Sequence, residues 1–418
     1  MEDKNKSDTF CIMPFHHINI KNEGKLSACW RYPDKVGDFL TDTLTDTWNG
    51  EQLRKVRTEL VNGVQHKGCI SCWDLERSGA KSLRQNAAEM YPDVDSNNII
   101  NNIEEDGSYP IKNLQSIEIR FDNICNLMCR HCSPTYSSIW EQKAKRDPIL
   151  MGQMKKVGTY RELEKHVSLT QEIIDEVVSL SPNLTELMIT GGEPLFHDKH
   201  YDFLERILPE ANHITLQYNS NFSTLDYKGK SILDLWKHFK RVSIRVSLDA
   251  YPEIYEYVRV RGNLSIAEDN IKKALQLSNI QLSATMTANL LNITRATEIA
   301  KYYYSMGVDY HTSIVQFPRP LNPKLLPPAL KEKVTNDWDE LINGDREWMK
   351  SYNHSQKFMD RSFERWKKFG DNVINYMNGE DWYHYWDDFI EYANAQDQHH
   401  ETNILDVYPE FRKYWHEV

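Results

Sequence analysis

Three cysteines crowd into eight residues of the segment RFDNICNLMCRHCSP: Cys125, Cys129 and Cys132. Thiolates this close cannot all pair as disulfides, and a C-x3-C-x2-C group suits a soft metal or an iron–sulfur cluster. Three protein ligands on a four-iron cluster leave one iron open, and an open coordination position is what chemistry needs. A second set lies upstream at Cys11, Cys29, Cys69 and Cys72. Cys11 and Cys29 flank a predicted hairpin whose turn is Asn22, Glu23 and Gly24, while Cys69-Ile70-Ser71-Cys72 forms a C-x2-C knuckle. Four thiolates meeting from a hairpin and a knuckle make a closed metal site. Zinc, which favours tetrahedral thiolates, is a rival occupant.

Elements able to position these groups follow from periodicity. Between residues 113 and 320, apolar strands alternate with amphipathic helices, the pattern of parallel βα units. Strands are predicted at 114–121, 184–190, 213–218, 242–248, 281–287 and 309–316. A helix over 296–306 stops at Gly307. Six such units are too few for an eight-stranded barrel, so an open, partial one is expected. Sites in parallel α/β sheets lie at the carboxyl ends of the strands, and the cysteine triplet follows the first. After the second strand comes Gly191-Gly192-Glu193-Pro194, where the glycines let a ligand approach the backbone and the carboxylate can hold an amino group. The third strand ends in Ser220-Asn221 and the fourth in Ser247-Leu248-Asp249, side chains suited equally to ribose hydroxyls and to helix capping. Capping also accounts for Asp122, Asp249 and Tyr251 near the mouth.

Flanking segments differ in character. Leu44, Trp48, Leu53, Val56 and Leu60 have helical spacing that ends near Asn62-Gly63. The polar, Asn/Asp-rich stretch 91–112 is expected to be a linker or surface excursion. Beyond about residue 323 a Pro-rich passage leads to an aromatic, acidic, helical region that carries six of the eleven tryptophans. Trp382, Trp386 and Ile390 read chiefly as a stripe that docks this region on the barrel.

Bulk composition narrows the class. The 418 residues are 40% hydrophobic and 27% charged, ordinary for a globular protein. A net charge of −11 argues against a nucleic-acid partner. No apolar run approaches the roughly 20 residues of a membrane span. The polar start MEDKNKSDTF lacks a signal segment, so a cytoplasmic location is expected. Seven cysteines in a reducing compartment read as ligands or free thiols rather than a disulfide framework.

With the triplet, the GGEP loop and the βα alternation together, residues 113–320 resemble the radical S-adenosylmethionine (SAM) enzymes. The resemblance implies that Cys125, Cys129 and Cys132 bind a [4Fe–4S] cluster whose open iron is chelated by SAM. It implies that Gly191, Gly192, Glu193 and Pro194 hold the methionine amino group. Ser220-Asn221 resembles the family's third-strand Thr-Asn, Ser247 its ribose-contacting serine and Arg259 an arginine after the fourth strand. Asn289 falls near the fifth-strand ribose position, and His131 stands where an aromatic residue usually meets adenine. The first 90 residues resemble a twitch or SPASM auxiliary-cluster domain, here placed before the barrel. That resemblance implies a second [4Fe–4S] cluster on Cys11, Cys29, Cys69 and Cys72.

The expected organisation is thus 1–90 auxiliary domain, 91–112 linker, 113–322 partial barrel and 323–418 helical region. The expected activity is reductive cleavage of SAM to a 5′-deoxyadenosyl radical that abstracts hydrogen from substrate, fed by an electron donor such as flavodoxin or ferredoxin. A fully ligated second cluster suits electron transfer, and so a net oxidation. The substrate class is a peptide or protein side chain, or alternatively a small molecule such as a sugar alcohol undergoing dehydrogenation or rearrangement. A non-enzymatic interaction protein with a four-cysteine zinc is the reading from another class.

Overall fold

The computed structural model describes residues 8–77, 81–92, 94–159 and 167–416. Nine strands form one sheet: β1 (His17–Ile20), β2 (Lys25–Ser27), β3 (Gly37–Asp38), β4 (Ser116–Arg120), β5 (Glu186–Thr190), β6 (Thr215–Ser220), β7 (Arg241–Ser247), β8 (Ile280–Ala288) and β9 (Asp309–Ile314). Their order across the sheet is β9-β8-β7-β6-β5-β4-β1-β2-β3. From β4 to β9 neighbours are parallel and follow chain order, as the predicted βα alternation requires. The sheet is open, with β9 and β3 as its edges.

Alternation sets the two faces. In β6, Leu216, Tyr218 and Ser220 are buried while Gln217 and Asn219 are partly exposed. The same period runs through β7 and β8. Helices pack on the outer face. In Gln171–Leu180, capped by the Thr170 side chain at Ile173 N, Ile173, Ile174, Val177 and Leu180 are buried. Helix Ala296–Ser305 precedes β9 and ends before Gly307, whose φ is 71°.

Three features add to the expected organisation. The cysteine-bearing hairpin joins the main sheet, where β1 pairs in parallel with β4, placing Ile18 against Ile117 and Ile20 against Ile119. All four β1 residues are buried, as a strand flanked on both sides must be. The 91–112 stretch, expected to be a linker or surface excursion, is largely exposed but anchored at a few points. It forms helix Ser96–Asn102, and Tyr91, Ile99, Ile100 and Tyr109 are buried in the common core. Asn/Asp richness concealed those four apolar anchors. Finally, the helical run after Leu44 is two helices, Leu44–Trp48 and Glu51–Val61, broken at Gly50.

Candidate functional site

The loop after β4 is pinned from several sides. Ser137 Oγ donates to Leu127 O at 2.9 Å, and Trp140 Nε1 donates to Cys129 O at 3.0 Å. Met128–Cys129 forms a short antiparallel ribbon with Arg259–Val260. These contacts hold Cys125, Cys129 and Cys132 at the wall of a cavity of about 630 Å³ over the carboxyl ends of the strands.

Gly191 and Gly192 also line it, and their lack of side chains serves the packing of two loops as well. A Cβ on Gly192 would stand 2.1 Å from Ile124 O, and one on Gly191, whose φ is 127°, 2.8 Å from Asp122 O. The glycines let the GGEP loop dock directly on the cysteine loop, where Glu193 N donates to Ile124 O at 2.7 Å. Glu193 is buried against the third strand end. Ser220 Oγ donates to its Oε1 at 2.8 Å and Asn221 N to its Oε2 at 2.6 Å. Burial pushes this carboxyl up to about 7, opposed by those hydrogen bonds. Pro194 begins the turn behind it, from which Leu195 N donates to Oε1.

Ser220, Asn221, Ser247, His131 and Arg259 border the same cavity. Asn289 does not. It is fully buried, its Nδ2 bonded to Thr287 O and its Oδ1 to Leu291 N, so it braces the loop after β8. Sequence reading missed the charged wall formed by Glu118 and Arg120 of β4 with Lys21, Glu23 and Lys25 of the hairpin. Glu118 accepts from Asn19 Nδ2 at 3.1 Å and Thr190 Oγ1 at 2.7 Å, and pairs with Arg120 at 3.0 Å. The signal was present in Ser-Ile-Glu-Ile-Arg, where the polar residues alternate onto the cavity face.

Cys11, Cys29, Cys69 and Cys72 line a second, small cavity together. Burial pushes the Cys29 thiol up to about 11, Cys69 and Cys132 to about 12, and raises Cys11, Cys125 and Cys129 as well. Buried thiols of this kind lose their protons to a metal rather than to water. Polar groups nonetheless point at the sulfurs: Leu127 N lies 3.5 Å from Cys125, and backbone donors at Arg31 and Tyr32 favour the Cys29 thiolate. The donor set of each group, thiolates lining one cavity, is the chemistry an iron–sulfur cluster takes, and backbone donors at the sulfurs would tune its potential.

Fold and site define an α/β protein with clustered thiolates at the mouth of a parallel sheet. Residues 119–300 match the family model of the Radical SAM superfamily, and residues 11–73 that of SPASM, an iron–sulfur cluster-binding domain. The two matches lie in the order that the sequence resemblance implied, the cluster-binding domain model before the radical SAM model. No protein of curated function matches it in sequence. Among solved structures it is similar to SuiB of Streptococcus suis bound to S-adenosylmethionine, at 13% identity and TM-score 0.40 over 66% of this chain and 57% of that one. It is also similar to native anSMEcpe with bound AdoMet, at 16% identity and TM-score 0.39 over 56% and 63%. SuiB bound to the precursor peptide SuiA gives 12% identity and TM-score 0.38 over 66% and 58%. The chain spans about three fifths of the length of these relatives.

Proposed function

We propose that this chain is a radical SAM enzyme that oxidises a peptide or protein side chain, with a second cluster receiving the electron. In this reading Cys125, Cys129 and Cys132 hold the SAM-binding cluster, and Cys11, Cys29, Cys69 and Cys72 an auxiliary [4Fe–4S] cluster. Bound together, the first cluster and SAM supply one-electron cleavage to methionine and a 5′-deoxyadenosyl radical that takes hydrogen from substrate. The chain's own groups do the rest. Glu193 ties the GGEP loop to the third strand end, and its Oε2 keeps capacity for a substrate or cofactor amino group. Ser247 and Asn221 line the space where a ribose would sit.

One observation carries this reading. Cys29 and Trp30 are consecutive, yet Cys29 faces the four-cysteine pocket and Trp30 the large cavity. One hairpin is thus a wall shared by both sites, which suits electron passage between them. The charged hairpin side of the cavity and the SPASM match support a peptide substrate over a sugar alcohol.

Anaerobic reconstitution tests it. The wild type should bind about eight irons, and a variant with Cys11, Cys29, Cys69 and Cys72 all changed to Ala about four. That variant should still form 5′-deoxyadenosine from SAM under a strong reductant. Zinc in place of iron, or eight irons in the variant, defeats the two-cluster reading.

A further inference from the structure

Asp249 follows β7 in the left-handed region, at φ 57°, and has no exposed surface. A non-glycine residue held there is strained, and a buried carboxylate needs partners. Thr287 N donates to its Oδ1 at 2.6 Å. Its Oδ2 accepts from Arg259 through Nε, at 3.0 Å, and through Nη2, and His131 Nε2 stands 3.3 Å away. One guanidinium nitrogen is left over. That nitrogen, Nη1, lies 3.5 Å from the Cys129 sulfur, within donor reach of a thiolate. Arg259 and Cys129 are also opposite each other in the short backbone ribbon, which fixes the approach. Carboxylate, guanidinium and sulfur therefore stand in series.

We propose that Asp249 orients Arg259 to hydrogen-bond the Cys129 thiolate, and that this pair sets the reduction potential of the three-cysteine cluster. The inference rests on the reading that Cys125, Cys129 and Cys132 hold that cluster. Arg259 is then a positioning residue whose donors are committed to Asp249 and sulfur rather than to SAM. A donor and a positive charge at a ligand sulfur favour the reduced, more negative state. The guanidinium is nearer the sulfur than the carboxylate, so its influence exceeds the opposing one.

The test is a redox titration of the reconstituted full chain, following by EPR the cluster signal that changes when SAM is added. Arg259→Gln removes charge and donor, and its midpoint should move to a more negative potential. Asp249→Asn leaves the guanidinium uncompensated beside the sulfur, and its midpoint should move to a more positive one. Opposite signs mark a positioned charge, because a merely loosened loop moves both variants the same way. Shifts of the same sign, or no shift in either, overturn the proposal. Arg259→Lys keeps the charge without the fork, and should fall between the wild type and R259Q. It carries the test if R259Q assembles no cluster, and a wild-type midpoint there overturns the proposal. Iron and sulfide analysis of the wild type separates the two levels. A wild type without a SAM-responsive cluster defeats the ligand assignment, whereas an intact one with unmoved variants defeats only this inference.

Discussion

At Gly192 the cysteine loop and the GGEP loop meet with no room for a side chain. A methyl group there would lie 2.1 Å from Ile124 O, a backbone atom that cannot swing aside. Gly192→Ala must therefore push the two loops apart at an overpacking cost of about 1–3 kcal/mol. The expected result is a lower urea midpoint together with weaker SAM binding, whereas Gly152→Ala, inside helix Pro148–Lys156 with nothing within 4 Å of its Cβ, leaves SAM binding unchanged and raises the midpoint through helix propensity. An unaltered G192A protein would mean that the loop contact does not position the site. At this scale the cysteines and GGEP were legible because spacing itself encodes them. The Asp249–Arg259–Cys129 series was not, since it joins the ends of a strand, a helix and a loop far apart in sequence. Asp249 read as an ordinary cap until its left-handed backbone and buried fork were visible.

The strands themselves were readable from their period of two, and all six parallel strands fall within a few residues of their expected positions. What periodicity could not show is that the hairpin joins them, because β1 is buried on both faces and its pairing partner lies about a hundred residues away. That seam carries a pH dependence. His17, at the start of β1, has its Nδ1 2.9 Å from Ser116 Oγ of β4. Burial pushes His17 down to about 3 and His16 to about 4. Both are neutral in the folded chain but bind protons in the unfolded chain below roughly pH 6.5. Their stabilising contribution is thus complete above that pH and is lost as the pH falls toward 4. The slope is about 1.4 kcal/mol per unit for each histidine. His17→Gln should flatten the acid limb of a stability–pH profile measured by urea unfolding, and H16Q/H17Q should flatten it further. A variant profile parallel to the wild type between pH 6 and 4 would show that the seam does not carry this charge effect.

Across the whole molecule the C-terminal region covers the outer side of the cysteine loop. Of the expected stripe, Trp386 and Ile390 are buried in helix Trp386–His400 together with Phe389, whereas Trp382 precedes the helix and is only partly buried. The region's docking place was not legible, because it depends on Arg130, a residue between two cysteines whose side chain turns away from the cavity. Arg130 is 1% exposed and stands 3.1 Å from Asp397 Oδ1, an ion pair without hydrogen-bond alignment. Its Nε donates to Tyr257 O at 2.7 Å and its Nη2 to Thr402 Oγ1 at 2.6 Å, while Tyr392 Oη donates to Arg130 O. Tyr257 Oη also donates to Asp397 at 3.0 Å. One helix thereby holds both the side chain and the backbone of the segment between Cys129 and Cys132. Asp397→Ala strands a buried guanidinium, which costs about 3–5 kcal/mol. If the helix shields the cluster, D397A reconstituted to full iron content should bleach faster in air than the wild type. Asp397→Asn, which keeps the hydrogen-bonding shape, should bleach at an intermediate rate. On the proposed two-cluster reading, a cluster held by Cys11, Cys29, Cys69 and Cys72, which this helix does not contact, should decay at the wild-type rate in both variants, as followed by the EPR signal that ignores SAM. Equal acceleration at both clusters would point instead to global loosening, and wild-type bleaching in a destabilised D397A would leave the helix with a purely structural role.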